Sequence, residues 1–483
     1  MNLHEKCGVF GFRASEKRFT AQRDAAGICY TGLFALQHRG QESAGIMVTD
    51  GLHVDIEKGA GLMVDAFRAR LPSLNGNCAI GHVRYSTFGG SSFANIQPMM
   101  AAIRGGGFIG LAHNGSLTNT DTLRRSLESR GCLFQSTSDS EMMLNMMAVS
   151  TATTVDGKIL SGLESVEGAY SLVLTVGTGL LPDHGSVSLV GARDPHGFRP
   201  LCLGGLSDGS YVLASESCAL DAVGAAFIRD VEPGEAVIID DAGIRSLRLR
   251  HRPVKRAFCV FEYIYFARPD SVIDGLNVWQ SRHRMGRRLA AEFDELKVQA
   301  DVVVPVPDTG IAAALGFSTE SGIPYAEGLI KNRYVGRTFI LPEQAARKST
   351  VEMKLNPLRE NLKGKRVVMI DDSIVRGTTS ARIVGLLRAA GASEVHMCVS
   401  SPPITHPCYY GIDTSIRKEL IASYMSENDV RQEIGADTLH YLTLPGLLES
   451  VGDPEGQRMC VSCFNGYYPT DVSEVSEPKR SLF

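Results

Sequence analysis

Short apolar runs alternate with glycine-rich turns from residue 7 to about residue 240. Examples are ESAGIMVTD from residue 42, CAIGHVRYS from residue 78, GGGFIGLAHNGS from residue 105 and GAYSLVLTVG from residue 168. Such runs predict strands joined by turns. Stretches near 123–130 and 141–150 predict helices between them. The first half of the chain is therefore predicted to be an α+β domain with extensive sheet.

The pattern changes from about residue 256, where longer apolar runs lead into helical spacing. Residues 300–317 predict a strand, a turn rich in proline, aspartate and glycine, and the start of a helix. Residues 367–370 resemble a strand buried on both faces of a parallel sheet. A helix is predicted next, because apolar residues recur at helical spacing at Ile383, Leu386, Leu387 and Ala390. A second strand is predicted over 394–399. This βαβ unit predicts a doubly wound α/β domain, with the boundary near residues 245–255.

Composition excludes several classes of protein. The 483 residues are 44% hydrophobic and 21% charged, which is typical of a globular protein with more than one domain. A net charge of −4 without a basic stripe argues against nucleic acid or an anionic membrane as the main partner. No apolar stretch reaches the ~18 residues of a membrane helix, and the polar start MNLHEK lacks the apolar core of a secretion signal. Eleven cysteines scattered over the chain do not suggest a disulfide framework. A cytoplasmic protein is predicted.

An anion site is indicated in VVMIDDSIVRGTTS, from residue 367. The predicted strand ends at Asp371 and Asp372, and a loop of small residues from Gly377 leads into the helix. Backbone N–H groups of such a loop and of the helix N-terminus can bind a phosphate, and the two carboxylates suit ribose hydroxyls or Mg²⁺. The alternative is structural, with the aspartates capping a turn and the hydroxyl residues acting as an N-cap.

This string resembles the phosphoribosyl-pyrophosphate fingerprint of the type I phosphoribosyltransferases. The resemblance implies that Asp371 and Asp372 contact the ribose and that the following loop holds the 5′-phosphate. The loop residues are Ser373, Arg376, Gly377, Thr378, Thr379 and Ser380. It also implies that residues 305–310 form a pyrophosphate loop with Thr309 beside Mg²⁺, and that a flexible loop brings in basic residues. Those residues are Lys331, Arg333 and Arg337. The alternative for these three is a solvated basic loop without a ligand.

Cys7 is a candidate nucleophile because of its place near the start of the sequence. If the preceding residues were removed, its own α-amine, with a pKa of about 7.7 to 8.0, could take the thiol proton. The alternative is a buried apolar thiol.

Further strings stand with Cys7, and each has a structural alternative. They are LQHRGQESAGI, GHVRYST, LAHNGSL and TSDSE. Arg84 could be a surface cation, Asn114-Gly115 a hairpin turn, and Asp139 a helix cap.

Together with CGVFGF these strings resemble the class II glutamine amidotransferases, whose fold is a four-layer αββα sandwich with an N-terminal nucleophile. The resemblance implies that Cys7 attacks the glutamine carboxamide and that Asn114 and Gly115 stabilise the oxyanion. It further implies that Arg84 pairs with the glutamine α-carboxylate, a good match for a planar guanidinium, and that Asp139 binds the α-amine. Because Cys7 does not follow Met1 directly, a cut between Lys6 and Cys7 is inferred.

The two resemblances combined are those of the glutamine phosphoribosyl-pyrophosphate amidotransferases. They imply a propeptide at 1–6, a glutaminase domain at 7–245, a phosphoribosyltransferase domain at 246–440 and a mixed tail at 441–483 with a polar, frayed end. The family makes 5-phosphoribosylamine from glutamine and phosphoribosyl pyrophosphate for purine synthesis, is inhibited by purine nucleotides and suggests a homotetramer. The rivals are another class II amidotransferase, such as the sugar-phosphate-aminating type, and a non-enzymatic phosphoribosyl-pyrophosphate-binding regulator.

Cysteines form a second candidate metal site. Cys460 and Cys463 make a CxxC pair, while Cys259 and Cys408 stand alone in apolar or aromatic surroundings. Four thiolates suit zinc and a 4Fe–4S cluster equally well, so spacing does not separate the two. The resemblance implies a 4Fe–4S cluster on these four cysteines, with a structural role.

Overall fold

The computed structural model describes residues 7–15, 24–68, 71–73, 76–85, 92–103, 106–178, 186–249, 254–332 and 355–475. Within these ranges the helices are α1 (Ala25–Ala35), α2 (Met63–Ala66), α3 (Thr120–Ser129), α4 (Ser140–Ala148), α5 (Val155–Leu163), α6 (Ser217–Val223), α7 (Val278–Asp294), α8 (Gly310–Ser321), α9 (Arg359–Leu362), α10 (Thr378–Ala389), α11 (Glu427–Ile434), α12 (Leu444–Ser450) and α13 (Ser462–Asn465). A π-helix spans Glu262–Phe266, and 3₁₀ turns lie at Gln37–Arg39, Phe93–Asn95, Arg417–Glu419 and Ile421–Ser423.

The strands are β1 (Gly8–Arg13), β2 (Ser43–Thr49), β3 (Val54–Ala60), β4 (Cys78–Arg84), β5 (Met99–Ala102), β6 (Phe108–Leu117), β7 (Gly168–Thr178), β8 (Ser186–Arg193), β9 (Cys202–Gly205), β10 (Tyr211–Ala214), β11 (Ala226–Asp230), β12 (Glu235–Asp240), β13 (Gly243–Arg248), β14 (Phe258–Cys259), β15 (Val272–Ile273), β16 (Leu276–Asn277), β17 (Val302–Pro305), β18 (Leu329–Lys331), β19 (Leu355–Pro357), β20 (Arg366–Asp371), β21 (Glu394–Val399), β22 (Thr438–Tyr441) and β23 (Met459–Cys460).

Two antiparallel sheets stack face to face in the N-terminal domain. One has the order β11-β9-β10-β1-β4-β2-β3 and the other β13-β12-β8-β7-β6-β5. Val9 of the first sheet and Val173 of the second belong to the apolar layer between them. Side chains alternate along β1, so Phe10 and Phe12 point to the opposite face, where α1 and α6 pack. Helices α3, α4 and α5 cover the outer face of the second sheet. The predicted four-layer αββα arrangement is confirmed.

The C-terminal domain is built on a parallel sheet of order β17-β20-β21-β22. Its central strands are almost wholly buried, as their continuous apolar runs predict. β17 and β20 are neighbours, and the Val306 N–H bonds to the Ile370 carbonyl at 2.8 Å. The loops that follow these strands therefore lie side by side at the carboxyl edge of the sheet. The predicted α/β domain with a parallel sheet is confirmed.

Some elements differ from the prediction. Helices α1, α5 and α6 were not predicted; α1, AAGICYTGLFA, lacks a charged face that would show a helical period. The boundary placed at residue 245 falls inside β13, whose pairing with β12 continues to Arg248. The described part of the segment predicted as a tail, residues 441–475, holds α12, β23 and α13.

The end of the described chain contacts the N-terminal domain. Glu474 Oε2 accepts the Asp121 N–H at 2.9 Å and the Thr122 N–H at 3.2 Å, which caps the start of α3. The expectation of a frayed segment is therefore wrong for residues 472–475, while 476–483 lie outside the described ranges. None of the helices in those ranges combines the length and apolarity needed to cross a lipid bilayer.

Candidate active sites

Cys7 lies immediately before β1, at the edge of the first sheet. Gly8 is paired with Val83, so Cys7 lies beside the end of β4, and its Sγ is 3.9 Å from the Tyr85 carbonyl oxygen. The side chain is half-buried. Residues 1–6 lie outside the described ranges, and removal of that segment stays a prediction.

Asn114 and Gly115 lie inside β6, opposite Ser171 and Tyr170 of β7. The hairpin-turn alternative is therefore wrong. Gly115 has φ +143°, and a Cβ there would stand 2.1 Å from the Ala169 carbonyl oxygen, so only glycine fits. Asn114 is 3% exposed, and its Nδ2 has no hydrogen-bond partner among the described residues. A buried donor left unpaired costs about 1–3 kcal/mol, which points to a group that binds there from outside.

A histidine of β4, the strand next to β1, is bonded to the strand of Asn114. His82 of β4 is opposite Val9, and its Nε2 donates to the His113 carbonyl of β6 at 3.0 Å. Burial lowers the pKa of His82 to about 3 and also lowers that of His113, so both rings are neutral at pH 7. The sequence analysis missed this pair, although each histidine lies inside a string that it singled out. The His82 bond ties the two sheets together, whereas the His113 ring contacts Ser140 Oγ at 2.9 Å.

Arg84 and Asp139 are both buried and not surface groups. Arg84 is 7% exposed at the end of β4, so the surface-cation alternative is wrong. Asp139 precedes α4 but its side chain makes no capping bond; its Oδ2 accepts the Leu117 N–H at 2.9 Å instead. Its Oδ1 is 3.8 Å from His113 Nδ1. Asp139 therefore links α4 to the end of the strand that carries Asn114.

The phosphate-loop residues surround a pocket after β20. A cavity of about 100 Å³ is lined by Ser373, Val375, Arg376, Gly377, Thr378, Thr379 and Ser380. Gly377 has φ +75° and stands at the N-terminus of α10 without a side-chain cap. The helix N-terminus is thus open to an anion. The N-cap alternative for the hydroxyl residues is not what the structure shows.

The acidic pair lies at the same edge, next to the loop after β17. Thr309 Oγ1 donates to Asp372, and the Asp371 carboxylate accepts the Asp372 N–H at 2.9 Å. Burial, with the charge of Asp372, raises the pKa of Asp371, and burial raises that of Asp372. Two buried carboxylates repel each other when both are ionised, and a bound cation would offset that repulsion. Mg²⁺ prefers oxygen ligands and therefore suits this pair.

The basic residues of the second site are only partly described. Lys331 pairs with Asp308, which places it at the loop after β17. Arg376 pairs with Glu419 at the mouth of the phosphate loop. Arg333 and Arg337 lie outside the described residues.

Four buried cysteines come together where residues 459–465, the returning segment, pack against β14 of the C-terminal domain. β14 pairs in parallel with β23, which sets Cys259 directly beside Cys460. Cys463 lies on α13, and the Cys408 Sγ accepts the Tyr410 N–H at 3.4 Å. Burial raises the pKa of Cys460 to about 11 and that of Cys463 above its usual range, and the neighbouring thiols contribute to the shift of Cys463.

The thiol arrangement bears on which group it could hold. Within the described ranges, no three His, Cys, Asp or Glu side chains are arranged to hold a metal ion. The all-sulfur donor set of the four cysteines fits an iron–sulfur cluster and also a zinc ion, since both take four thiolates.

Comparison with known proteins gives the same two-part division. The family described as glutamine amidotransferase domain matches residues 82–222, and the phosphoribosyl transferase domain family matches residues 274–415. Relatives called amidophosphoribosyltransferase are 49% identical in Bacillus subtilis, over 97% of this chain and 95% of the relative, and 47% identical in Methanocaldococcus jannaschii, over 97% and 98%.

A solved structure extends the match to three dimensions. The glutamine phosphoribosylpyrophosphate amidotransferase of B. subtilis, complexed with ADP and GMP, superposes with a TM-score of 0.86 at 48% identity, covering 96% of this chain and 98% of that one. Both the sequence and the fold are thus shared over nearly the full length, and the chain belongs to the amidophosphoribosyltransferases.

Proposed function

We propose that this enzyme hydrolyses glutamine in the N-terminal domain and transfers the ammonia to phosphoribosyl pyrophosphate in the C-terminal domain. The products are glutamate, 5-phosphoribosylamine and pyrophosphate, in the first committed step of purine synthesis. The observation that carries the proposal is the buried Asn114 Nδ2, unpaired among the described residues, on a strand that His82 bonds to β4, the strand next to β1 and Cys7. A donor held ready in this way suits an oxygen that becomes charged only during reaction.

Glutamine hydrolysis begins with the thiol of Cys7 once residues 1–6 are removed. The freed α-amine takes the thiol proton, and the thiolate attacks the carboxamide carbon. Asn114 Nδ2 and the Gly115 N–H donate to the resulting oxyanion. The C–N bond then breaks, ammonia leaves with the proton from the α-ammonium group, and water cleaves the thioester to give glutamate. Arg84 and Asp139 orient the substrate through its α-carboxylate and α-ammonium groups.

The C-terminal domain binds the acceptor. The loop from Ser373 to Ser380 holds the 5′-phosphate, and Asp371 and Asp372 hold the ribose hydroxyls. These aspartates with Thr309 would hold Mg²⁺, which neutralises pyrophosphate charge when bound. Lys331 lies where pyrophosphate would leave. Ammonia attacks C1 with inversion as the bond to the pyrophosphate oxygen breaks. An interior route for ammonia is expected, because protonation in water would remove its lone pair.

The four cysteines are proposed to hold a 4Fe–4S cluster of structural role. Cys259 and Cys408 belong to the body of the C-terminal domain, while Cys460 and Cys463 lie on the returning segment. A cluster across them would fasten that segment in place. Purine nucleotides are proposed as inhibitors because the related B. subtilis structure is described as a complex with ADP and GMP. A homotetramer in the cytoplasm remains our expectation.

The rival functions fit less well. A sugar-phosphate-aminating amidotransferase would share the first half of the chain, but the acidic pair and loop of DDSIVRGTTS, inside the matched phosphoribosyl transferase domain, argue against it. A binding regulator would have no use for the unpaired Asn114 amide.

The test compares two sources of nitrogen. Cys7→Ala should abolish phosphoribosylamine formation from glutamine and keep its formation from an ammonium salt. Cys132→Ala, which removes another half-buried thiol, should leave both rates unchanged. Equal glutamate release by Cys7→Ala and the parent enzyme would refute the assignment. Intact mass of the active protein shows whether the chain starts at Cys7.

A further inference from the structure

A carboxylate from the C-terminal domain lies between two arginines of the N-terminal domain. Glu262 Oε2 accepts from Arg39 Nη2 at 2.6 Å, and Glu262 Oε1 accepts from Arg199 Nη1 at 3.2 Å. The exposed fractions of Arg39, Arg199 and Glu262 are 0%, 1% and 0%. A bridge so far from water is sensitive to the loss of any member, because the remaining charges stay buried without a partner.

Arg39 is packed against the nucleophile side of the glutaminase site. A Cβ on Gly8 would stand 3.4 Å from the Cβ of Arg39, and one on Gly40 would stand 2.5 Å from the backbone nitrogen of Arg84. The backbone at Arg39 and Gly40 thus lies against the residue that follows Cys7 and against Arg84. Arg39 also pairs with Glu216 of its own domain. Its guanidinium therefore fixes the wall that carries the nucleophile.

Arg199 is packed against the oxyanion side of the same site. Its Nη2 donates to the Tyr410 carbonyl at 2.9 Å. A Cβ on the next residue, Gly411, would stand 3.0 Å from that Nη2 and 3.4 Å from the Cα of Gly115. The Arg199 carbonyl accepts from Ser171 Oγ at 3.0 Å, and Ser171 is opposite Asn114 across the sheet. Arg199 therefore supports the strand that carries both oxyanion donors.

Glu262 is itself held rigidly. It begins the π-helix Glu262–Phe266, and Arg282 of α7 clamps this segment from the other side. Arg282 Nε donates to the Tyr263 carbonyl at 2.8 Å and its Nη2 donates to the Ala267 carbonyl at 2.9 Å. The position of the carboxylate is thus set by the core of the C-terminal domain.

We infer that Glu262 is a positioning residue through which the C-terminal domain sets both walls of the glutaminase site. Glutamine hydrolysis then depends on a residue that touches neither glutamine nor Cys7. Ammonia transfer at the phosphoribosyl site should depend on it far less, because the hydrogen bonds of the Glu262 carboxylate go to Arg39 and Arg199 and not to the phosphate loop. The inference rests on the proposed function and adds a residue to its first step.

The experiment measures phosphoribosylamine formation with glutamine and with an ammonium salt for Glu262→Gln. The kcat with glutamine should fall by about tenfold or more, while the kcat with ammonium should stay within about twofold. Glu262→Asp keeps the charge and should recover part of the glutamine rate. Arg199→Lys keeps the positive charge but loses the planar guanidinium, which bonds Glu262 and the Tyr410 carbonyl together. It should likewise lower the rate with glutamine and spare the rate with ammonium.

Glu292→Gln is the matched control. Glu292 is another buried carboxylate of the C-terminal domain, and it accepts from the Thr443 N–H at 2.9 Å, away from the interface. This variant should keep the ratio of the two rates even if it is less stable. A Glu262→Gln enzyme with an unchanged ratio, or with both rates lost in proportion, would overturn the inference. If Glu262→Gln does not fold, the ratio in Arg199→Lys decides. A parent enzyme that forms no phosphoribosylamine from either source would instead refute the proposed function.

Discussion

Replacing Asn114 by alanine should slow glutamine hydrolysis sharply while leaving the protein about as stable as before. The Asn114 Nδ2 is buried and has no partner among the described residues, so its removal breaks no hydrogen bond within that part of the chain. Relief of an unpaired buried donor, about 1–3 kcal/mol, offsets the packing lost with the side chain. The transition state, in contrast, loses an oxyanion donor, which typically costs about 3 kcal/mol, or ~150-fold in kcat.

The assay is glutamate release under saturating glutamine, with urea denaturation run in parallel. KM for glutamine should change little, because the donor is used mainly in the transition state. Asn145→Ala is the control, since Asn145 Nδ2 is also buried and has no partner in the described ranges, but lies on α4. A kcat for Asn114→Ala within about threefold of the parent would refute the oxyanion reasoning. So would an equal fall in Asn145→Ala.

Three further predictions concern the phosphate loop, the cysteines and the returning segment. Gly377→Ala should raise KM for phosphoribosyl pyrophosphate by about tenfold, because φ is +75° and a Cβ would stand 2.8 Å from Ile421; initial rates over a substrate series test this, and an unchanged KM would show that the loop tolerates a side chain. Cys460→Ser should lower the iron content of anaerobically purified protein, measured by iron analysis and visible absorbance; a parent protein that is colourless and carries zinc would rule out the cluster. Glu474→Ala should cost about 1 kcal/mol in urea unfolding, since the Asp121 and Thr122 N–H groups lose their cap; an equal midpoint for both proteins would contradict that role.

The fold was predictable where local pattern and burial agree. Residues 367–370 are apolar throughout and form the core of β20, buried on both faces. The alternating runs of the first half likewise became β2, β4, β6 and β7. Helix α1 was missed because nearly all of its residues are apolar or small, so its sequence has no periodic polar face. Its helical state is set by packing on β1 and β4, which the sequence does not display.

Some residues of the candidate sites were also predictable from the sequence, and others were not. Local sequence marked Cys7 by its place near the start and the loop at Gly377 by its small residues after an acidic pair, whereas Asn114 was found only through the resemblance of its string to a known family. Glu262 and Arg39 were not found, because their contact joins residues 223 positions apart. Such a contact follows from the docking of two domains, and nothing in either local sequence marks it.

The cap that Glu474 places on α3 has a consequence for synthesis on the ribosome. Asp121 emerges long before Glu474, which is 353 residues further along the chain. The first amides of α3 therefore stay bonded to water until residue 474 has been synthesised. A nascent chain halted before residue 474 would carry Cys7 and all of α3 but lack this contact, so the N-terminal domain gains its full set of contacts only after residue 474 has left the ribosome.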